Sequence, residues 1–381
     1  MRPPSDLKPD LFETTDEIET PAILVDLDAM ERNMAKYASF AKEQRVALRS
    51  HVKTHKIPDL AHRQEELTGG DGIVCQKLSE AEVMAQNGID DIYLTYMVVG
   101  EEKLNRLVWL SEHVDEFATT VDGEGNILPL QEAAARHGVT VDVVLELDVG
   151  LNRVGVQPGA PATEVADLIL EQPNLNLAGI MAYEAHVTQE AETASEYERL
   201  CMAVMDEVEE AVDRIEDVTG AAIDEVKVGG TATSKFSGRH PVVTEINPGM
   251  YPFNDVGELG RRPFEVDKED CALTVLTSVI STAADDRVIV DGGSKTMSMD
   301  LAAYDIYPLP KNRDDIAYER YSEEHGWIDT SESNEEFTVG DRLEFIAPHV
   351  CTTINLHDTI VGVRDGVVKE VWEVQARGKL K

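Results

Sequence analysis

From about residue 21 onward, short apolar runs alternate with longer stretches in which apolar positions recur every three or four residues. The first pattern is that of a buried strand and the second that of an amphipathic helix. "PAILVDLDAM" reads as a strand and "AMERNMAKYASFAKEQ" as a helix. "RVALRSHVKTH" with "KIPDLAHRQEELTG" repeats the unit, and "GIVCQKL" with "SEAEVMAQNG" repeats it again. In the last helix Ser79 and Glu82 have capping-box spacing, and Gly88 stands where a helix stops. "DIYLTYMVV", "EFATTVD", "TVDVVLELDVG", "NLAGIMAYEAH" and "DEVKVGGTAT" supply further strands. About eight βα units predict an α/β fold built on a closed (β/α)8 TIM-type barrel.

The pattern changes after about residue 265. "CALTVLTSVISTA", "RVIVDGG", "RLEFIAP", "TTINL" and "TIVGVRDGVVKEVWEVQARG" are β-rich runs broken by Gly and Asp turns. The expected organisation is a barrel over residues 1–265, including a short N-terminal extension, and an all-β domain over residues 266–381.

Composition narrows the partners. The chain has 381 residues and 42% hydrophobic content, as a globular protein of about two domains does. Its 73 acidic against 34 basic residues give a formal net charge of −39, spread along the whole chain. Such a surface repels nucleic acid and anionic membranes. Adaptation to high salt is the expected cause, since molar salt shortens the screening length to about 3 Å. The four cysteines, Cys75, Cys201, Cys271 and Cys351, have no framework spacing and suit a reducing cytoplasm. "MRPPSDLKPDLFETTDEIET" lacks the apolar core of a signal peptide, so a soluble cytoplasmic protein is expected.

In a barrel, catalytic groups gather at the C-terminal ends of the strands. That rule selects Lys53 in "HVKTHK", Gln76, Lys77, Arg153, Tyr183, His186 and the stretch "VGGTAT" at 228–233. Gly229 and Gly230 let backbone approach an anion, Thr231 and Thr233 add hydroxyls, and a following helix would add N–H groups. In "PHVCTT", His349 and Cys351 stand two apart, which on a β-strand places both on one face. Spacing alone leaves these two as ordinary buried side chains.

The ordered set "TPAILVDLDAMERNMAKYASFAKEQRVALRSHVKTHKIPDLAHRQ", "DVGLNRVGV", "AYEAHV", "VGGTAT", "NPGMYPFND", "DGGSKTMSMD", "EEHG" and "PHVCTTINLHD" resembles the family of D-threonine aldolase and D-serine dehydratase. That family lies within the alanine-racemase-like pyridoxal-phosphate (PLP) enzymes. The resemblance spans nearly the whole chain and implies an alanine-racemase-type barrel with a C-terminal β-domain, assembled as a homodimer. It implies that Lys53 forms the Schiff base with PLP, that Arg153 lies near the pyridine nitrogen, and that Tyr183 lies at the cofactor face. Gly230, Thr231, Gly249 and Tyr251 complete the implied cofactor set. His349 and Cys351 are implied to hold a divalent metal, zinc by the softness of the thiolate, with manganese as the alternative.

The implied activity is that of a metal-assisted lyase for small β-hydroxy D-amino acids. Cys351 favours a D-serine-type dehydratase releasing a keto acid and ammonia. A D-threonine aldolase, splitting its substrate to glycine and an aldehyde, is the alternative; an amino-acid racemase and a non-catalytic PLP carrier are more distant ones.

Overall fold

The computed structural model describes residues 13–300 and 307–381, so residues 1–12 of the expected N-terminal extension lie outside it. The chain forms two compact units. One contains Ala35–Lys53, Pro58–Gly249 and Gly378–Lys381; the other contains the residues up to Met34, Thr54–Ile57 and Met250–Arg377.

The first unit is an all-parallel β/α barrel. Its sheet runs through Ile73–Cys75, Asp91–Leu94, Glu116–Val121, Val141–Leu147, Leu175–Ala182, Val226–Gly229 and Glu245–Asn247. The remaining strand is interrupted at Arg49 and changes neighbour there. Ala47 and Leu48 pair with Glu245 and Ile246, whereas Ser50 and His51 pair with Ile73 and Val74. One broken strand therefore joins both ends of the sheet and closes the ring. Val74, Tyr93, Val144 and Met181 pack together as an apolar cluster. Glu245 is buried, and it is matched by Arg49 Nε at 2.9 Å and Lys227 Nζ at 3.0 Å, so the charge is compensated.

Most of the predicted helices form, among them Pro58–Thr68, Leu78–Gln86 and the helix Leu27–Gln44. The predicted capping box at Ser79 and Glu82 does not. The helix begins at Leu78, and Arg106 occupies both residues, donating to Glu82 at 2.7 and 2.6 Å and to Ser79 Oγ at 2.8 Å. A tertiary ion pair has taken the carboxylate from the local cap. Gly88 does follow the helix end, with φ of 84°.

The second unit is a mixed sheet. Its central strand Ala22–Asp26 pairs antiparallel with Leu273–Ser281 and parallel with Thr359–Arg364. The first strand of the chain therefore belongs to this sheet and not to the barrel, and the compact units divide near residues 34 and 250 where the sequence suggested 265. Periodicity identifies a strand but carries no information on which partner it will find. Ile18, Leu24, Leu276 and Val361 form the apolar cluster of this sheet. Short helices interrupt it, including Val256–Arg261 and Val350–Ile354. Within "PHVCTTINL" the residues Val350–Ile354 are thus helical where a strand was expected. Among the described residues no helix is long and apolar enough to cross a membrane.

Candidate active site

Within the barrel unit, the strand Ser50–His51 ends in a single tight turn, Val52–Thr54, that carries Lys53. His51 is buried, and its Nε2 lies 3.2 Å from Gln76 Oε1 and 3.4 Å from Thr95 Oγ1. Its Nδ1 accepts the N–H of Lys53 at 3.5 Å, which leaves the proton on Nε2. Burial first, and then the charges of Lys53 and Arg153, hold this ring well below the usual histidine range. It is neutral and adds no positive charge beside the lysine. The basic cluster "HVKTHK" is divided between the units: His55 packs edge-on to Phe253, with ring centroids 6.4 Å apart, in the second unit. Lys77 lies over the Tyr96 ring at 3.7 Å.

Arg153 projects from a loop fixed by Asp148, whose Oδ1 accepts the N–H groups of Gly150 and Asn152 at 3.1 and 2.9 Å. Its guanidinium lies 5.0 Å above the Tyr183 ring and 3.6 Å from Glu146 Oε1. Glu146 is buried, and burial above all pushes its carboxyl up to about 7 against the pull of Arg153. Asp148, occupied by the loop backbone, is not the partner of Arg153; Glu146 is.

The stretch at 228–233 forms the expected close turn. Gly230 has φ of 105°, and a Cβ there would lie 3.0 Å from Tyr183 Cε2 and 3.1 Å from Thr233 Oγ1. Only glycine leaves this cradle open. Thr231 Oγ1 accepts the N–H of Gly249 at 3.2 Å, which brings that predicted residue to the turn, and Ser234 Oγ is buried with no hydrogen-bond partner. The following helix is a single turn, Ser234–Ser237. The open cradle and the orphaned hydroxyl fit a phosphate-bearing cofactor.

In the second unit His349 is the N-cap residue of Val350–Ile354, with Cys351 in its first turn. The two converge although they do not share a strand face, because His349 has extended backbone (φ −145°, ψ 111°) before the helix begins. Asp255 fixes this bend: its Oδ2 accepts the N–H of Val350 at 3.0 Å and its Oδ1 that of Glu258 at 2.8 Å. Thr54 Oγ1 lies 3.3 Å from Cys351 Sγ. Burial opposes a charged His349, but Cys351, Asp255 and Asp300 together push the ring up to about 9, so the place favours positive charge. His349 Nδ1 is buried with no hydrogen-bond partner. An orphaned ring nitrogen beside a thiol and carboxylates fits a soft divalent cation. Tyr251 is fully buried in this unit.

The family description "Alanine racemase, N-terminal domain" matches residues 25–254, and "Putative serine dehydratase domain" matches residues 272–363. The chain is 37% identical to the 3-hydroxy-D-aspartate aldolase of Paracoccus denitrificans, covering 95% of this chain and 93% of that one. It belongs to the D-threonine aldolase and D-serine dehydratase family of PLP-dependent lyases. The crystal structure of D-threonine aldolase from Filomicrobium marinum superposes with a TM-score of 0.90 at 34% identity, covering 96% of this lyase and 97% of that chain. D-threo-3-hydroxyaspartate dehydratase from Delftia sp. HT23 superposes with a TM-score of 0.85 at 28% identity, covering 95% and 98%. D-threo-3-hydroxyaspartate dehydratase has also been solved with a histidine, and with a cysteine two positions later, each replaced by alanine, the cysteine mutant in a metal-free form.

A different titratable cluster lies on the barrel unit, where Asp206, Glu209 and His240 offer ligand atoms within 4.8 Å of one another. His240 Nδ1 accepts the N–H of Val242 at 3.3 Å, so Nε2 carries the ring proton and donates it to Asp206 at 3.2 Å. In this tautomer the ring of His240 has no lone pair left for an ion. Sequence reasoning missed Asp255 and Thr54 as supports of His349 and Cys351. Each partner is remote in sequence or placed by an irregular turn, so no local spacing marks it.

Proposed function

We propose that this lyase eliminates water from a small β-hydroxy D-amino acid, yielding a keto acid and ammonia, with Lys53 as the cofactor lysine and His349 with Cys351 as the metal pair. The observation that carries the reading is the His349–Cys351 pair with its orphaned Nδ1. It has the histidine-to-cysteine spacing of the pair substituted in D-threo-3-hydroxyaspartate dehydratase.

Bound PLP supplies electron withdrawal from the α-carbon, and a divalent ion on His349 and Cys351 supplies Lewis acidity toward the β-hydroxyl. Zinc suits the thiolate and manganese is the alternative. The amine of Lys53 would be the base that takes the proton from the α-carbon. Neutral His51 orients the backbone of Lys53 without competing for that proton. Arg153, held between Glu146 and Tyr183, would present a fixed positive charge to the pyridine nitrogen, while Gly230, Thr231 and Gly249 would seat the phosphate.

A second reading, retro-aldol cleavage, is supported by the 37% identity to an aldolase and the TM-score of 0.90 to another. The purified protein is supplied with D-serine, D-threonine and D-3-hydroxyaspartate, and the products are identified. Keto acid with ammonia supports elimination; glycine with an aldehyde or glyoxylate selects cleavage instead.

A further inference from the structure

Glu184 follows Tyr183 at the end of the strand Leu175–Ala182, and it is fully buried. Ser237 Oγ donates to its Oε1 at 2.7 Å, while its Oε2 is buried with no hydrogen-bond partner. The hydroxyl of Thr233 and the backbone of Gly229 lie beside the carboxyl, and the Cys201 thiol faces it from the helix Ala194–Thr219. Among the described residues no Lys, Arg or His forms an ion pair with it. A charged carboxylate here would be a buried charge with no counterion.

We infer that Glu184, as the neutral acid, is a positioning residue for the Gly229–Gly230 turn, and through it for retention of a phosphate-bearing cofactor. The inference rests on reading that turn as the phosphate seat. Thr233 Oγ1 donates to the Gly229 carbonyl at 3.0 Å, so its lone pairs are free to accept. A protonated Oε2 supplies the missing donor and completes a chain from Glu184 through Thr233 to the Gly229 carbonyl. Loss of the proton reverses the demand: Oε2 then needs a donor, and the Thr233 hydroxyl can supply one only by releasing Gly229. The protonation state of Glu184 is thereby tied to the turn that carries Gly230, and its negative form also repels a phosphate dianion. Burial, before any other cause, pushes this carboxyl up to about 7, in keeping with the geometry.

The test is cofactor affinity of the apoprotein, titrated by absorbance with pyridoxal phosphate and with unphosphorylated pyridoxal between about pH 6 and about pH 8. For the wild type, affinity for the phosphate ester should fall as pH rises through about 7, by up to about tenfold per pH unit. Glu184→Gln, which keeps an acceptor for Ser237 and a donor for Thr233, should bind as the wild type does at the acid end and lose that part of the pH dependence. Pyridoxal should show no difference between the two proteins. The infrared difference spectrum of wild type minus Glu184→Gln should contain a band of a protonated carboxyl, Glu146 contributing equally to both proteins and cancelling. An unchanged pH profile in the variant, or no such band, overturns the inference. Gly230→Ala separates the two levels: if it leaves phosphate-ester affinity intact, the reading of the turn is wrong; if it weakens affinity while Glu184→Gln changes nothing, only the role of Glu184 fails.

Discussion

Thr54 Oγ1 lies 3.3 Å from the sulfur of Cys351, and Thr54 is joined by a peptide bond to Lys53. The residue that touches the proposed metal ligand thus directly follows the proposed cofactor lysine. Thr54→Val keeps the side-chain shape and removes the hydroxyl. It is expected to raise the metal dissociation constant about tenfold, the usual range for losing a group that orients a ligand. Covalent cofactor attachment should be unchanged. Metal titration followed by an absorbance spectrum checks both.

Lys53 is expected to carry the cofactor. Reduction of the holoenzyme with borohydride, digestion and peptide mass mapping should place the pyridoxyl group on Lys53. The competing lysines are engaged elsewhere, Lys77 over Tyr96 and Lys295 with Glu324 at 2.8 Å. Lys53→Ala should lower turnover by at least about a hundredfold, the least expected when a positioned proton-transfer group is lost. A label on Lys77 or Lys295 contradicts the assignment.

Glu146 lies buried 3.6 Å from Arg153 and has its carboxyl pushed up to about 7. A native acid that holds its proton above the unfolded value makes the fold most stable at low pH. That contribution is lost as pH rises from the ordinary glutamate range through about 7. The loss amounts to about 3 kcal/mol at most. In Glu146→Gln this pH dependence of thermal unfolding should disappear. The cofactor absorbance should also change, because Arg153 loses its anchor. A melting profile with the wild-type pH dependence contradicts the role given to Glu146.

The βα alternation showed the barrel in the sequence because parallel strands buried on both faces are continuous apolar runs. Which sheet Ala22–Asp26 would join was not visible, since that depends on Leu273–Ser281 and Thr359–Arg364, far away in the chain. Lys53, Arg153, Tyr183 and Gly230 became candidates in the sequence because motif and strand-end position coincide. Glu184 and Asp255 did not, because their roles arise from burial and from caps made in three dimensions.

The net charge of −39 predicts dependence on salt. Screening at molar ionic strength removes most of the self-repulsion of such a surface. Thermal unfolding across a potassium chloride series should show a melting temperature that rises with salt. A flat or falling series contradicts the halophilic reading.

We expect His349 and Cys351 to hold a metal that the chemistry needs but cofactor attachment does not. The direct measurement combines turnover, elemental analysis and the cofactor absorbance spectrum on one sample, before and after chelation, for wild type and His349→Ala. Removing the ion, or the histidine, should abolish lyase turnover and leave the absorbance of lysine-bound cofactor in place, and added divalent metal should restore wild type but not the variant. Full turnover in protein shown by elemental analysis to be free of metal would contradict this expectation.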